Sequence, residues 1–164
     1  MKTEPSGRTA TEPRWLGPAQ QQAWRAYMDG HQRLLAELNR QLQRDSDMSL
    51  AEYRILVLLS EAPAHSLRMS DLADGVLSSR SRLTHQIRRM ELQGMVRRTS
   101  CEDDGRGVRA HLTEDGMRRL REAAPGHVGE VRRDFVDLLT PEELTIIGGV
   151  FERIDKELST RSPR

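Results

Sequence analysis

Cysteine is almost absent from this chain of 164 residues, with Cys101 the single example. No disulfide can therefore form within it, and a reducing compartment suits it. Aromatic residues make up 4%, too few for a protein that grips single-stranded nucleic acid by stacking bases on exposed rings. The longest apolar run, Ile55 to Leu59, is far too short to cross a bilayer, and the first residues lack the apolar stretch of a secretory signal. No membrane association and a cytoplasmic location are expected. The five histidines (31, 65, 85, 111 and 127) are scattered, with no cysteine or carboxylate at metal-ligand spacing. There is neither a nucleophile elbow nor a phosphate-binding glycine loop between a strand and a helix. No cofactor, no metal and no enzymatic activity are expected. Internal repeats and long low-complexity tracts are missing too.

Hydrophobic residues, at 36%, suffice for one compact core. The net charge is only +1, yet positive charge is concentrated locally. Between Leu77 and Arg98 there are six arginines (80, 82, 88, 89, 97 and 98) against one acid, Glu91, an excess of five charges. The surrounding pattern says what these arginines are for. Ser70 and Asp71 suit the start of a short helix with Met69, Leu72 and Ala73 inward. Gly75 offers the freedom a sharp turn needs, with Val76 and Leu77 plugging the angle and Ser78 or Ser79 capping a second helix. In that helix Leu83, Ile87 and Met90 recur at i, i+4 and i+7, so one stripe faces a core. Arg80, Arg82, His85, Gln86 and Arg89 project elsewhere. Arginine is well shaped to grip a phosphate or a guanine edge with paired hydrogen bonds. Gly94 ends the helix. Strands are expected over Met95 to Thr99 and Val108 to Leu112, the second with Val108, Ala110 and Leu112 inward and Arg109 and His111 outward. Between them Asp103 to Gly107 has loop-tip chemistry with Arg106 at its apex, where a basic side chain can enter the minor groove of a duplex.

This order of elements is a winged helix-turn-helix, and its residues resemble the MarR-type winged-helix regulators. The resemblance runs through Leu50-Ala51-Glu52-Tyr53-Arg54-Ile55-Leu56, Met69-Ser70-Asp71-Leu72-Ala73, Arg82-Leu83-Thr84-His85 and Met90-Glu91-Leu92-Gln93-Gly94-Met95-Val96-Arg97-Arg98. It ends in Asp104-Gly105-Arg106-Gly107 and Leu112-Thr113-Glu114-Asp115-Gly116. It implies a homodimer on a pseudo-palindromic operator, usually a repressor released by a small phenolic, lipophilic or oxidising signal. It also implies that Asp104 braces the wing and that Arg106 reaches the minor groove. Arg88 stands where the family often carries an acidic residue, which puts the usual salt bridging between helix and wing in question and adds a candidate phosphate contact. The family's ligand cleft, between dimerisation helices and reading domain, would here draw on Trp24, Tyr27, His31, Tyr53 and Arg54. Such a set suits a small aromatic or lipophilic effector. Cys101, at the start of the wing, has Arg97 and Arg98 favouring its thiolate and Glu102, Asp103 and Asp104 opposing it.

Both ends of the chain carry helical apolar stripes. Thr140-Pro141-Glu142-Glu143 is a capping box with proline at the first helical position, followed by Leu144, Ile147, Phe151, Ile154 and Leu158. Trp24, Tyr27 or Met28, His31, Leu34 or Leu35, Leu38 and Leu42 repeat likewise. A monomer could fold one stripe onto the other; the resemblance favours intertwining with a second copy. The expected fold is thus mainly α with a small β-wing. Its expected parts are a disordered lead-in (1–14), an N-terminal dimerisation helix (15–46), the DNA-binding domain (49–125) and C-terminal dimerisation helices (126–160). The expected DNA contacts are Ser78, Ser79, Arg80, Ser81, Arg82, Thr84, His85, Gln86, Arg89 and Arg106. Two rival readings stay open: a winged-helix module for protein contacts, and a small-molecule enzyme in the cleft.

Overall fold

A computed structural model describes residues 13–100 and 107–161. Six α-helices and a three-stranded sheet follow in order: α1 (Pro18–Ser46), α2 (Leu50–Glu61), β1 (Ser66–Arg68), α3 (Met69–Gly75), α4 (Arg80–Leu92), β2 (Val96–Ser100), β3 (Val108–Leu112), α5 (Glu114–Asp134) and α6 (Pro141–Arg161). The chain forms two compact units, residues 1–33 and 34–164, so that α1 begins in the first and ends in the second. In the first unit α1 is solvent-exposed along most of its length, with Trp24, Tyr27 and His31 at the surface.

The core of the second unit gathers Leu42, Ile55, Leu56, Leu59, Leu72, Leu83, Ile87, Met90, Met95, Val96 and Ala110. Each helix contributes the stripe its spacing dictates. Ser49 opens α2 with a capping box: its Oγ accepts from the Glu52 N–H at 3.2 Å, and the Glu52 carboxylate accepts the Ser49 N–H at 2.8 Å. The expected box at Thr140 forms as well, with the Thr140 N–H donating to Glu143 at 2.8 Å and the Glu143 N–H to Thr140 Oγ1 at 3.2 Å. Helix α6 nevertheless buries none of its residues; Ile146, Phe151, Ile154 and Leu158 all stand at least two-fifths exposed. Pro125 does not end α5, which runs through it to Asp134.

The sheet is antiparallel in the order β1-β3-β2, with Leu67 opposite Ala110 and Arg98 opposite Ala110 on the other side. The central strand β3 buries Ala110 fully and packs the partly covered Leu112 against the core, whereas Val108 is exposed, so the expected alternation holds at Ala110 and Leu112 and fails at Val108. Strand β1 was not expected: three residues are too few to show a period.

Two local expectations around α3 are corrected. Its N-cap position belongs to Arg68, not Ser70, whose hydroxyl lies inside the first turn on Asp71 Oδ1 at 3.1 Å. And the α3–α4 turn takes its left-handed residue at Leu77 (φ 52°), not at Gly75. Leu77 therefore points outward at 82% exposure, and Val76 alone packs on the core. Gly75 serves a different need, because a Cβ there would press on Leu58 Cδ1 at 3.0 Å.

Candidate nucleic-acid interface

The surface built by α3, α4 and the two longer strands begins with how α4 is held. Ser79, the second of the two expected caps, accepts the Arg82 N–H on its Oγ at 3.3 Å. Leu83, Ile87 and Met90 are fully buried, which turns the remaining faces of the helix outward. At the far end Gly94 (φ 75°) closes α4: the Met95 N–H reaches Met90 O at 3.0 Å and the Gly94 N–H reaches Glu91 O at 3.0 Å, a Schellman closure.

The six arginines separate into two groups. Arg98 forks onto Glu91 and Arg89 onto Glu52. Arg80, Arg82, Arg88 and Arg97 are exposed and ion-paired with no other described residue. The excess positive charge thus remains at the surface, mostly on α4. Arg82, His85, Gln86 and Arg89 line one shallow depression at i, i+3, i+4 and i+7. A second groove of about 370 Å³ runs between the start of α3, the first turns of α4 and the base of the hairpin, lined by Arg68, Ser70, Arg80, Thr84, Arg98 and Gly107 among others. Ser81 and His85 are open to solvent and Ser78 is half-buried. Thr84 is exposed, but its hydroxyl donates to Arg80 O at 2.8 Å, so the methyl is what it offers.

The tie between helix and wing that Arg88 put in question is made one turn later, by Glu91 and Arg98. The hydrogen bonds from the Arg98 side chain, then from its backbone N–H, hold the Glu91 carboxyl below its usual range. In the strands, Thr99 Oγ1 lies 2.8 Å from His111 Nε2, and burial, then the nearby Arg97 and Arg109, keep His111 less basic than usual. Arg109 turns back onto Ser66, bonding its hydroxyl at 3.0 Å and its carbonyl at 3.1 Å. Asp104, Arg106 and Cys101 lie outside the described residues.

The five residues expected around an effector fall into separate settings. On α1 in the first unit, Trp24, Tyr27 and His31 form a ladder, with ring centroids 5.8 Å apart for the first pair and 5.5 Å, stacked, for the second. In the second unit Tyr53 is buried with its ring 4.4 Å from that of His127, while Arg54 is exposed. Burial pushes the Tyr53 phenol up and the His127 imidazole down. Behind them His127 Nδ1 meets the buried Gln41 Oε1 at 3.3 Å. Sequence reasoning missed this His127–Gln41 pairing. A separation of 86 positions in the sequence leaves no local signal.

Comparison with known proteins places this geometry. Residues 48–108 match the family model described as the MarR family. The crystal structure of AbsC, a MarR family transcriptional regulator from Streptomyces coelicolor, superimposes with a TM-score of 0.85 at 44% identity, over 90% of this chain and 99% of that one. Sco3205, a MarR family transcriptional regulator from the same organism solved in complex with DNA, gives a TM-score of 0.87 at 44% identity over 90% and 92%. YfiV of Bacillus subtilis, described as an uncharacterized HTH-type transcriptional regulator, is 33% identical over 119 residues, 68% of this chain and 72% of its own.

Proposed function

Because this chain belongs to the MarR family of transcriptional regulators, we propose that it works as a homodimer that reads a pseudo-palindromic stretch of double-stranded DNA and represses transcription until a small effector releases it. The observation that carries this reading is the outer face of α4. There, the exposed Arg80, Arg82 and Arg88, which have no acidic partner among the described residues, surround His85 and Gln86 on a helix whose opposite face is locked into the core. A helix anchored in that way can enter the major groove, with Ser78 to Gln86 near base edges and Arg80, Arg82 and Arg88 within reach of guanine or phosphate. The likeness to Sco3205, solved in complex with DNA, supports binding to DNA. Arg106, which lies between β2 and β3 in the sequence, is assigned to the minor groove, with Asp104 bracing it. The activity is binding, not turnover, and its setting is the cytoplasm.

Residues 49–125 are assigned to reading, and 15–46 and 126–160 to pairing with a second copy. The open apolar row of α6 and the exposed Trp24 and Tyr27 on α1 favour that pairing, since a monomer would leave them in water. A second copy would set two α4 helices roughly 34 Å apart, one duplex turn. The aromatic ladder on α1 supports an aromatic or lipophilic effector. Its binding would favour a dimer whose reading helices no longer match the operator.

The test is selection of bound duplexes from a random pool by the purified protein, then titration of the selected sequence at two salt concentrations. An inverted repeat with half-sites about one turn apart is expected, with affinity falling by about 10³ to 10⁵ between 50 and 200 mM salt if some six to ten phosphates are neutralised. Recovery of no preferred sequence would overturn operator reading and point the basic helix toward an acidic protein partner.

A further inference from the structure

Glu52 lies at a junction that the DNA-facing surface depends on. Its side chain is 4% exposed, and a carboxylate that deep must have its charge answered by the protein. The two oxygens are divided between two helices. Oε2 accepts the Ser49 N–H at 2.8 Å and the Ser49 hydroxyl at 2.7 Å, closing the start of α2. Oε1 accepts Arg89 Nε at 3.1 Å and Nη2 at 2.7 Å, reaching into the third turn of α4.

Arg89 is unlike its neighbours on the outer face of α4. It remains 59% exposed beside Arg82, His85 and Gln86, yet Arg80, Arg82 and Arg88 have no acidic partner among the described residues and Arg89 has a buried one. A cation held in this way has two consequences. Its guanidinium stays with the protein instead of following the phosphate backbone, so it adds little to sequence-independent attraction. It also pins α4 against rolling about its own axis, which would shift Arg82, His85 and Gln86 together relative to the bases.

We propose that Glu52 is a positioning residue for DNA reading, one that fixes the roll of α4 through Arg89 and withholds Arg89 from the phosphates. This rests on α4 being the reading helix. Arg89 is then a brace and not a base reader, and the buried carboxylate raises the preference for the operator over other DNA.

The experiment uses the full-length protein, the duplex selected from a random pool, and a scrambled duplex of equal length, each titrated across a salt series. Glu52→Gln keeps the side chain's shape and removes its charge. It is expected to lower the ratio of selected to scrambled affinity about tenfold and to steepen the log–log salt slope on scrambled DNA by about 0.9, the signature of one added phosphate contact. Adding Arg89→Ala should return the slope to the parent value, which a merely structural role for Glu52 would not do. A folded Glu52→Gln protein with parental ratio and slope overturns the proposal. Should that variant not fold, Arg89→Ala carries the test: a reduced ratio at the parental slope supports it, and a slope shallower by about 0.9 overturns it, because Arg89 would already contact phosphate. A parent protein that binds no duplex would overturn the proposed function itself, a result distinct from a binding parent with an unaltered variant.

Discussion

Arg98 holds Glu91 by both ends of its own residue. Its Nε and Nη2 meet Glu91 Oε2 at 2.9 and 2.7 Å, while its backbone N–H meets Oε1 at 2.9 Å. One carboxylate thereby ties the last turn of the basic helix to the first strand of the wing. Both side chains are a third exposed, so the net contribution is modest, about 1 kcal/mol. Glu91→Gln should cost that much in urea unfolding at pH 7 and weaken operator binding by loosening the wing. The carboxyl is held below its ordinary value of 4.5, so its stabilisation is complete above that pH and is lost as pH falls through the folded value. Parent and variant should converge in acid. A difference that persists undiminished at pH 2 would show that the bond is not what the variant lost.

His127 gives the opposite kind of group the same sign. Burial, its largest influence, lowers its pKa from 6.5, although Glu130 pulls the other way. A base kept neutral by the fold binds fewer protons than in the unfolded chain, so stability is complete above pH 6.5 and falls as the pH drops below it. Thermal midpoints should fall between pH 7.5 and 5.5 in the parent, and less so in His127→Gln, which can still bond Gln41. Parallel slopes in the two proteins would assign the loss to other groups.

Arg82 separates reading from gripping. If it pairs with a guanine, Arg82→Ala should cost about 1 to 3 kcal/mol on the selected duplex and relax selection at a single base pair. Equal losses on every sequence would reassign it to a phosphate.

Gly116 is required by close approach. A methyl there would overlap the carbonyl oxygen of Met95, which already accepts the Thr113 N–H at 3.1 Å. Gly116→Ala should therefore destabilise by about 1 to 3 kcal/mol despite alanine's better helix propensity. Gly129 in the same helix has nothing within 4 Å of such a methyl, and Gly129→Ala should gain up to about 1 kcal/mol by that propensity. Denaturant midpoints that move the same way for both would refute the steric account.

What the sequence made legible was what repeats or caps locally. The stripe Leu83, Ile87 and Met90, the left-handed Gly94 and the Thr140 box all follow from spacing within one element. Leu77 was misplaced because a turn that looks served by Gly75 in fact takes its left-handed residue two positions on. Charge counting located the basic surface but not its division, since the carboxylate that claims Arg89 comes from 37 residues away. The Tyr53 ring was expected around an effector, and its setting against His127 depends on how α2 and α5 pack, which no local pattern encodes.

Helix α6 carries a complete apolar row and buries none of it. When a second chain covers such a row, stability ceases to be a constant of the molecule and becomes a function of how much of it is present: each tenfold dilution removes about 1.4 kcal/mol from the folded dimer. Operator occupancy would then rise more steeply than protein level. A cell could silence this regulator simply by making less of it, with no effector at all.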